Sequence, residues 1–205
     1  MNAYLVKNDA GFILIDSGMS GNRAILERDL RAAGCTLGDL KLIVITHGDP
    51  DYSGNAAYLR AKYGAKIAMH KAEVASVERG NMFLSRGSLP PLRRMMKQLM
   101  SLFRLRKRDR LTPDLFLKDG DRLDEYGLAA TVLHVPGHSA GCIAVLTDEG
   151  EFFSGDFLEN RTHPSIATIV DDAEALKAAF EQVKALDIRT VYPGHGKAFA
   201  MDKIK

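Results

Sequence analysis

Four separate stretches of this chain end a short apolar run on a turn that combines glycine with histidine or aspartate. Leu42-Ile43-Val44-Ile45-Thr46 runs into His47-Gly48-Asp49-Pro50-Asp51-Tyr52, and Ala130 to Val135 runs into Pro136-Gly137-His138-Ser139. Phe152-Phe153 runs into Ser154-Gly155-Asp156, and Val191-Tyr192 into Pro193-Gly194-His195-Gly196. Singly, each is an ordinary turn, since Pro-Gly and Ser-Gly are common turn vocabulary. Jointly they constrain the fold, because α/β sheets collect their chemistry at the C-terminal ends of strands. Four strand ends that each deliver an imidazole or a carboxylate point to a bound metal ion.

The remaining apolar runs fit the same architecture. Ala3 to Val6, Gly11 to Ile15, Lys66 to Met69, Ile143 to Leu146 and Glu151 to Phe153 read as further strands, each bounded by Gly, Pro or Asp. Asn22 to Ala33, Asn55 to Tyr63 and Ala173 to Leu186 carry apolar residues at spacings of three and four and read as helices, the first two stopped by Gly34 and Gly64. Strand-helix-strand units between hairpins predict α/β layers with sheets packed between helices, not one purely parallel sheet. At 205 residues, a single domain over 1–205 is the expectation.

Composition excludes more than it assigns. A formal net charge of +2 gives no basis for nucleic-acid binding, and the N-terminus has neither a signal-peptide pattern nor a membrane-spanning run. The two cysteines, Cys35 and Cys142, lack ligand-like spacing, so reduced thiols and a cytoplasmic location are expected. One stretch breaks the pattern. Between 84 and 112, Arg86, Arg93, Arg94, Lys97, Arg104, Arg106, Lys107, Arg108 and Arg110 face only Asp109 and alternate with Leu, Met and Phe, which predicts an inserted basic amphipathic helix. A solvated packing helix, a lid over an anionic substrate, or a membrane or oligomer contact are its readings.

Within the first loop, Pro50 biases Asp49 toward extended backbone, so the side chains at 47, 49 and 51 can splay around one centre. The competing reading is a helix start capped by Asp51 or Ser53. Of the other histidines, His70 reads as a residue near a helix start, His134 as a strand residue able to steer the His138 loop, and His163 as a surface-loop residue.

In their order along the chain, these motifs resemble the metallo-β-lactamase superfamily, with its H-x-H-x-D-H loop, P-G-H-[ST] loop, S/T-G-D loop and final P-G-H loop; Ile15-Asp16-Ser17-Gly18 resembles its early I-D-[ST]-G turn. The resemblance implies a four-layered αββα sandwich. It also implies His47, Asp49 and His138 as ligands of a first metal, Asp156 as a bridge, and Asp51 with His195 at a second metal. Two positions depart from the pattern: Asp49 replaces the second histidine and Tyr52 the last. Three carboxylates and a hydroxide would offset two divalent cations, and the harder donor set shifts preference from the family's zinc toward iron or manganese. A neutral phenol is a poor ligand near neutral pH, so Tyr52 reads as a proton donor to substrate, an iron-bound phenolate, or a packing residue.

The implied activity is hydrolysis of an ester, thioester or lactone by a hydroxide on one or two metal ions, with Asp51 and Tyr52 as catalytic residues and a small, anionic substrate. The motifs are similar to those of the glyoxalase II and lactonase branches. The alternatives are a di-iron oxidoreductase related to the flavodiiron core, whose motif is acidic at the position of Asp49, a phosphodiesterase, or a degenerate non-catalytic member. Oligomer formation is left open.

Overall fold

The computed structural model describes residues 1–82 and 104–204. Its first sheet has the order β1-β2-β3-β4-β5: β1 (Tyr4–Asn8) and β2 (Gly11–Ile15) form an antiparallel hairpin, and β3 (Leu40–Ile45), β4 (Lys66–His70) and β5 (Leu115–Leu117) join in parallel. In the second sheet, β6 (Ala130–His134), β7 (Ile143–Thr147) and β8 (Glu151–Gly155) are antiparallel neighbours. The sheet continues through β11 (Thr190–Pro193), parallel to β8, and ends on β12 (Phe199–Ala200). A small hairpin of β9 (Leu158–Glu159) and β10 (Ser165–Ile166) lies between β8 and β11 in sequence.

Side chains alternate sides along a strand, so strands apolar at every position are covered on both faces. Ile13 and Ile15 of β2 and Leu42 and Val44 of β3 pack with Val132, Ile143, Val145 and Phe153 of the second sheet, forming the layer between the two sheets. Leu14, Ile43 and Ile45 point the other way, onto Leu30 of α1 (Arg23–Ala32) and Leu59 of α3 (Ala56–Tyr63). On the far side, Ala144, Phe152 and Val191 meet Leu176, Ala179 and Val183 of α5 (Ala173–Lys184), whose start is capped by the Asp172 carboxylate accepting from the Glu174 and Ala175 amides. Three apolar layers between helix, sheet, sheet and helix make the αββα sandwich, and each fully buried Leu, Ile or Phe in them contributes about 1.5–3 kcal/mol.

Of the stretch expected to form a basic helix, residues 83–103 lie outside the described residues. Residues 104–112 contain a single 3-10 turn, Lys107–Asp109, with Leu105 and Leu111 buried in the layer beneath α3. Asp109 is buried and pairs with Arg23 at 2.7 Å, tying this segment to α1. Both cysteines are free and buried. Among the described residues no helix is long and apolar enough to cross a membrane.

Candidate metal centre

The ends of β3, β6, β8 and β11 converge at one edge of the sandwich, and their loops carry the six residues singled out above. After β3, Pro50 occupies the first position of a one-turn helix, α2 (Pro50–Ser53), and holds Asp49 extended at φ −69°, ψ 143°. The amides of Tyr52 and Ser53 bond to the Asp49 carbonyl, and its side chain makes no cap hydrogen bond. The Asp49 carboxylate instead faces His47 Nε2 at 3.7 Å and His138 Nε2 at 3.4 Å. Ligand atoms of these three buried residues all lie within 4.8 Å of one another.

Asp156, at the end of β8, divides its two oxygens. Oδ2 is 3.9 Å from both His47 Nε2 and His138 Nε2, whereas Oδ1 is 3.6 Å from His195 Nε2. Asp51 Oδ2 completes that second group at 3.8 Å from His195 Nε2. One carboxylate therefore spans two neighbouring clusters, His47/Asp49/His138 and Asp51/His195.

Both imidazoles of the first cluster have their tautomers fixed from behind. The Ile169 carbonyl can only accept, so His138 Nδ1 donates to it at 2.7 Å and turns Nε2 toward Asp49 Oδ2 at 3.4 Å. Thr46 Oγ1 lies 3.0 Å from Asp16 Oδ2 and 3.1 Å from His47 Nδ1. Its hydroxyl proton goes to the buried Asp16 carboxylate, and its oxygen accepts from His47 Nδ1, which points Nε2 into the cluster. His47 Nε2 is buried with no hydrogen-bond partner. An orphaned imidazole nitrogen among carboxylate oxygens is costly unless a cation or proton satisfies it, so this donor set fits a divalent cation.

The ionisation of the cluster agrees with that need. Burial depresses His47, but Asp49, Asp156 and Asp16 around it outweigh burial and push it up to about 9. Asp16 is pushed up to about 7, chiefly by burial. Burial and the neighbouring carboxylates of Asp49 and Asp156 raise Asp51, while burial lowers His195. Without a cation, a proton on His47 offsets the crowded negative charge.

Tyr52 is completely buried, and its hydroxyl donates a short hydrogen bond to Asp156 Oδ1. Burial and that carboxylate drive its pKa far above the usual phenol range, so it stays a neutral donor. Its ring packs tilted against His47, with centroids 4.1 Å apart, and a Cβ at Gly194 would overlap the phenol oxygen. The cavity of about 250 Å³ over the site is lined by Met19, Met82 and Ile169 besides the ligand-type residues, and Tyr52 is absent from its wall. Tyr52 lies beneath the site, with its hydroxyl committed to Asp156.

One buried carboxylate escaped the sequence reading. Glu73 Oε2 accepts from the Gly48 amide at 2.9 Å, and its Oε1 accepts from Ser139 Oγ at 2.7 Å and the Gly141 amide at 2.9 Å. It thereby ties the His47 loop to the His138 loop. Gly48 is required by this contact, since a Cβ there would sit 2.9 Å from Glu73 Oε2. The signal available in sequence was only an acid shortly after β4, which resembles any helix start. His70 accepts from the Ala72 amide at 3.3 Å, and His134 bonds the Ala140 carbonyl at 2.9 Å behind the His138 loop. His163 lies in an exposed loop near Thr162.

A sequence profile described as the Metallo-beta-lactamase superfamily matches residues 2–195. The chain belongs to the metallo-β-lactamase superfamily. Among similar proteins is the acyl-coenzyme A thioesterase MBLAC2 of Bos taurus, 27% identical over 228 aligned residues that cover 99% of this chain and 75% of the relative. The human protein of that name is likewise 27% identical. Of solved structures, TTHA1623 in a di-iron-bound form superposes with a TM-score of 0.73 at 26% identity, covering 98% of this chain and 90% of that one. The B3 metallo-β-lactamase BLEG-1 gives a TM-score of 0.76 at 24% identity and the same coverage, a likeness of fold. Membership makes the chain a hydrolase of this superfamily and implies divalent metal binding.

Proposed function

We propose that this hydrolase cleaves an acyl thioester, and that His47, Asp49, His138 and Asp156 would hold one divalent cation and Asp51, His195 and Asp156 a second. The observation that carries the reading is the Asp156 carboxylate split between two clusters, the first of which holds the buried, unpartnered Nε2 of His47. A cation bound there supplies acidified water and polarises a carbonyl oxygen. Zinc is favoured by family resemblance, and the Asp49 oxygen donor favours iron or manganese.

The chain's own residues account for the rest. Asp51 has 30% of its side chain exposed, lines the cavity, and has a pKa raised by burial and by neighbouring acids. It is the residue placed to take the proton of the attacking water and return it as the carbon–sulfur bond breaks. A thiolate needs little help to leave, because its pKa of about 8.5 is far below that of an alcohol. Met19, Met82 and Ile169 provide an apolar wall for the acyl chain. Similarity to acyl-coenzyme A thioesterases supports the thioester over the ester or lactone.

The test is a turnover screen of thioester, ester, lactone and phosphodiester substrates on protein reloaded separately with zinc, iron and manganese. Preferential release of thiol from acyl-coenzyme A is expected, and turnover confined to another class overturns the assignment. A di-iron oxidoreductase is the second reading, supported by the Asp49 donor and by the di-iron form of TTHA1623. Colourless zinc protein with full thioesterase turnover eliminates it.

A further inference from the structure

We propose that Arg161 is the anion-receiving residue of this cavity, binding a carboxylate or phosphate group of the substrate; the proposal deepens the thioesterase reading and rests on it. Arg161 lines the same cavity as Asp51, Asp156 and His195, on the wall of the looser cluster. It is the only Lys or Arg among the described residues lining that cavity.

Its position is built into the fold. The Asn160 amide donates to the His195 carbonyl at 2.8 Å, and Asn160 Nδ2 donates to the Lys197 carbonyl at 2.9 Å. The residue before Arg161 is thus fastened to the His195 loop, and β9 and β10 close a hairpin around the turn. Arg161 Nε donates to Glu159 Oε2 at 2.8 Å, and Glu159 is itself buried. That bond fixes one edge of the guanidinium and leaves both Nη groups without a hydrogen bond among the described residues.

A guanidinium held by one edge presents the other as a planar pair of donors, the geometry that matches two oxygens of a carboxylate or phosphate. The side chain is 47% exposed, so a ligand can reach it.

The test compares matched thiols that differ only in charge, by calorimetry on metal-loaded full-length protein. 4′-Phosphopantetheine against pantetheine reads phosphate, and 3-mercaptopropionate against 3-mercaptopropionamide reads carboxylate. Wild type is expected to prefer the charged member of at least one pair. Arg161→Ala should weaken that member about tenfold or more while leaving the neutral one unchanged, with partial recovery in Arg161→Lys. The pair that responds identifies the anion. No preference in wild type, or equal loss for charged and neutral thiols, overturns the proposal. Thioester turnover is measured on the same preparations, so charge-selective binding without turnover would retain Arg161 and remove the proposed function instead.

Discussion

The two halves of the site share one carboxylate and differ in almost everything else. In the first, His47, Asp49 and His138 have side chains 0%, 8% and 3% exposed, and both imidazoles are braced from behind. In the second, Asp51 and His195 are 30% and 18% exposed, and the Asp156 oxygen they face is already bonded to Tyr52. A buried, prepositioned donor set loses little freedom on binding, whereas the second must compete with a phenol proton and with water. The difference teaches that the two departures from the family motif act in opposite ways. Asp49 adds charge to a closed cluster, and Tyr52 takes donor capacity from an open one. We infer tight binding in the first half and weak binding in the second.

The largest expected effect comes from removing what the halves share. Asp156→Ala should abolish hydrolysis and reduce metal content in both halves, read by elemental analysis beside an activity assay; retained turnover would contradict the shared role. Next is Glu73→Ala, which leaves the Gly48 and Gly141 amides unsatisfied at about 1–3 kcal/mol each. A loss of about 2–5 kcal/mol in chemical denaturation is expected, with the first half losing metal affinity more than the second. Glu73→Gln, which keeps an acceptor, should lose less than the alanine variant.

Much of this arrangement was legible in the sequence. β2 has the bounds read from its apolar run, and the two-sided burial of β3 follows from four consecutive apolar residues, Leu42 to Ile45. The six ligand-type residues stood out because each followed a strand beside glycine. What escaped was short or tertiary in origin. β5, β9, β10 and β12 are two or three residues long, too short to show periodicity. Glu73 and Arg161 acquire their roles from partners 25 to 68 residues away for Glu73, and from the packing of the Asn160 turn on the His195 loop for Arg161. The direction of the Tyr52 phenol was not legible from its motif position; burial and the missing Cβ of Gly194 set it.

A smaller effect should sharpen the contrast between halves. Tyr52→Phe frees Asp156 Oδ1, so the second cation should bind severalfold more tightly while the first is unchanged, at a stability cost of about 1 kcal/mol for the lost hydrogen bond. Equal changes at both would dissolve the distinction drawn here. The smallest is a pH effect in metal-free protein. His47 is raised from 6.5 to about 9, so its contribution to stability is fully present below about 6.5 and lost as pH rises through about 9. The melting temperature of chelator-treated protein should fall across that window, and saturating metal should oppose the fall by replacing the proton. A flat metal-free profile would remove His47 as the group that titrates.

The inequality of the two halves is tested most directly by titrating chelator-stripped, full-length protein with zinc, and separately with ferrous iron and manganese, by calorimetry with elemental analysis of the product. Two resolved steps are predicted, the first tight and lost in His138→Ala, the second weak and strengthened by Tyr52→Phe. No saturable binding of any of these ions, or two indistinguishable steps unaffected by Tyr52→Phe, would contradict it.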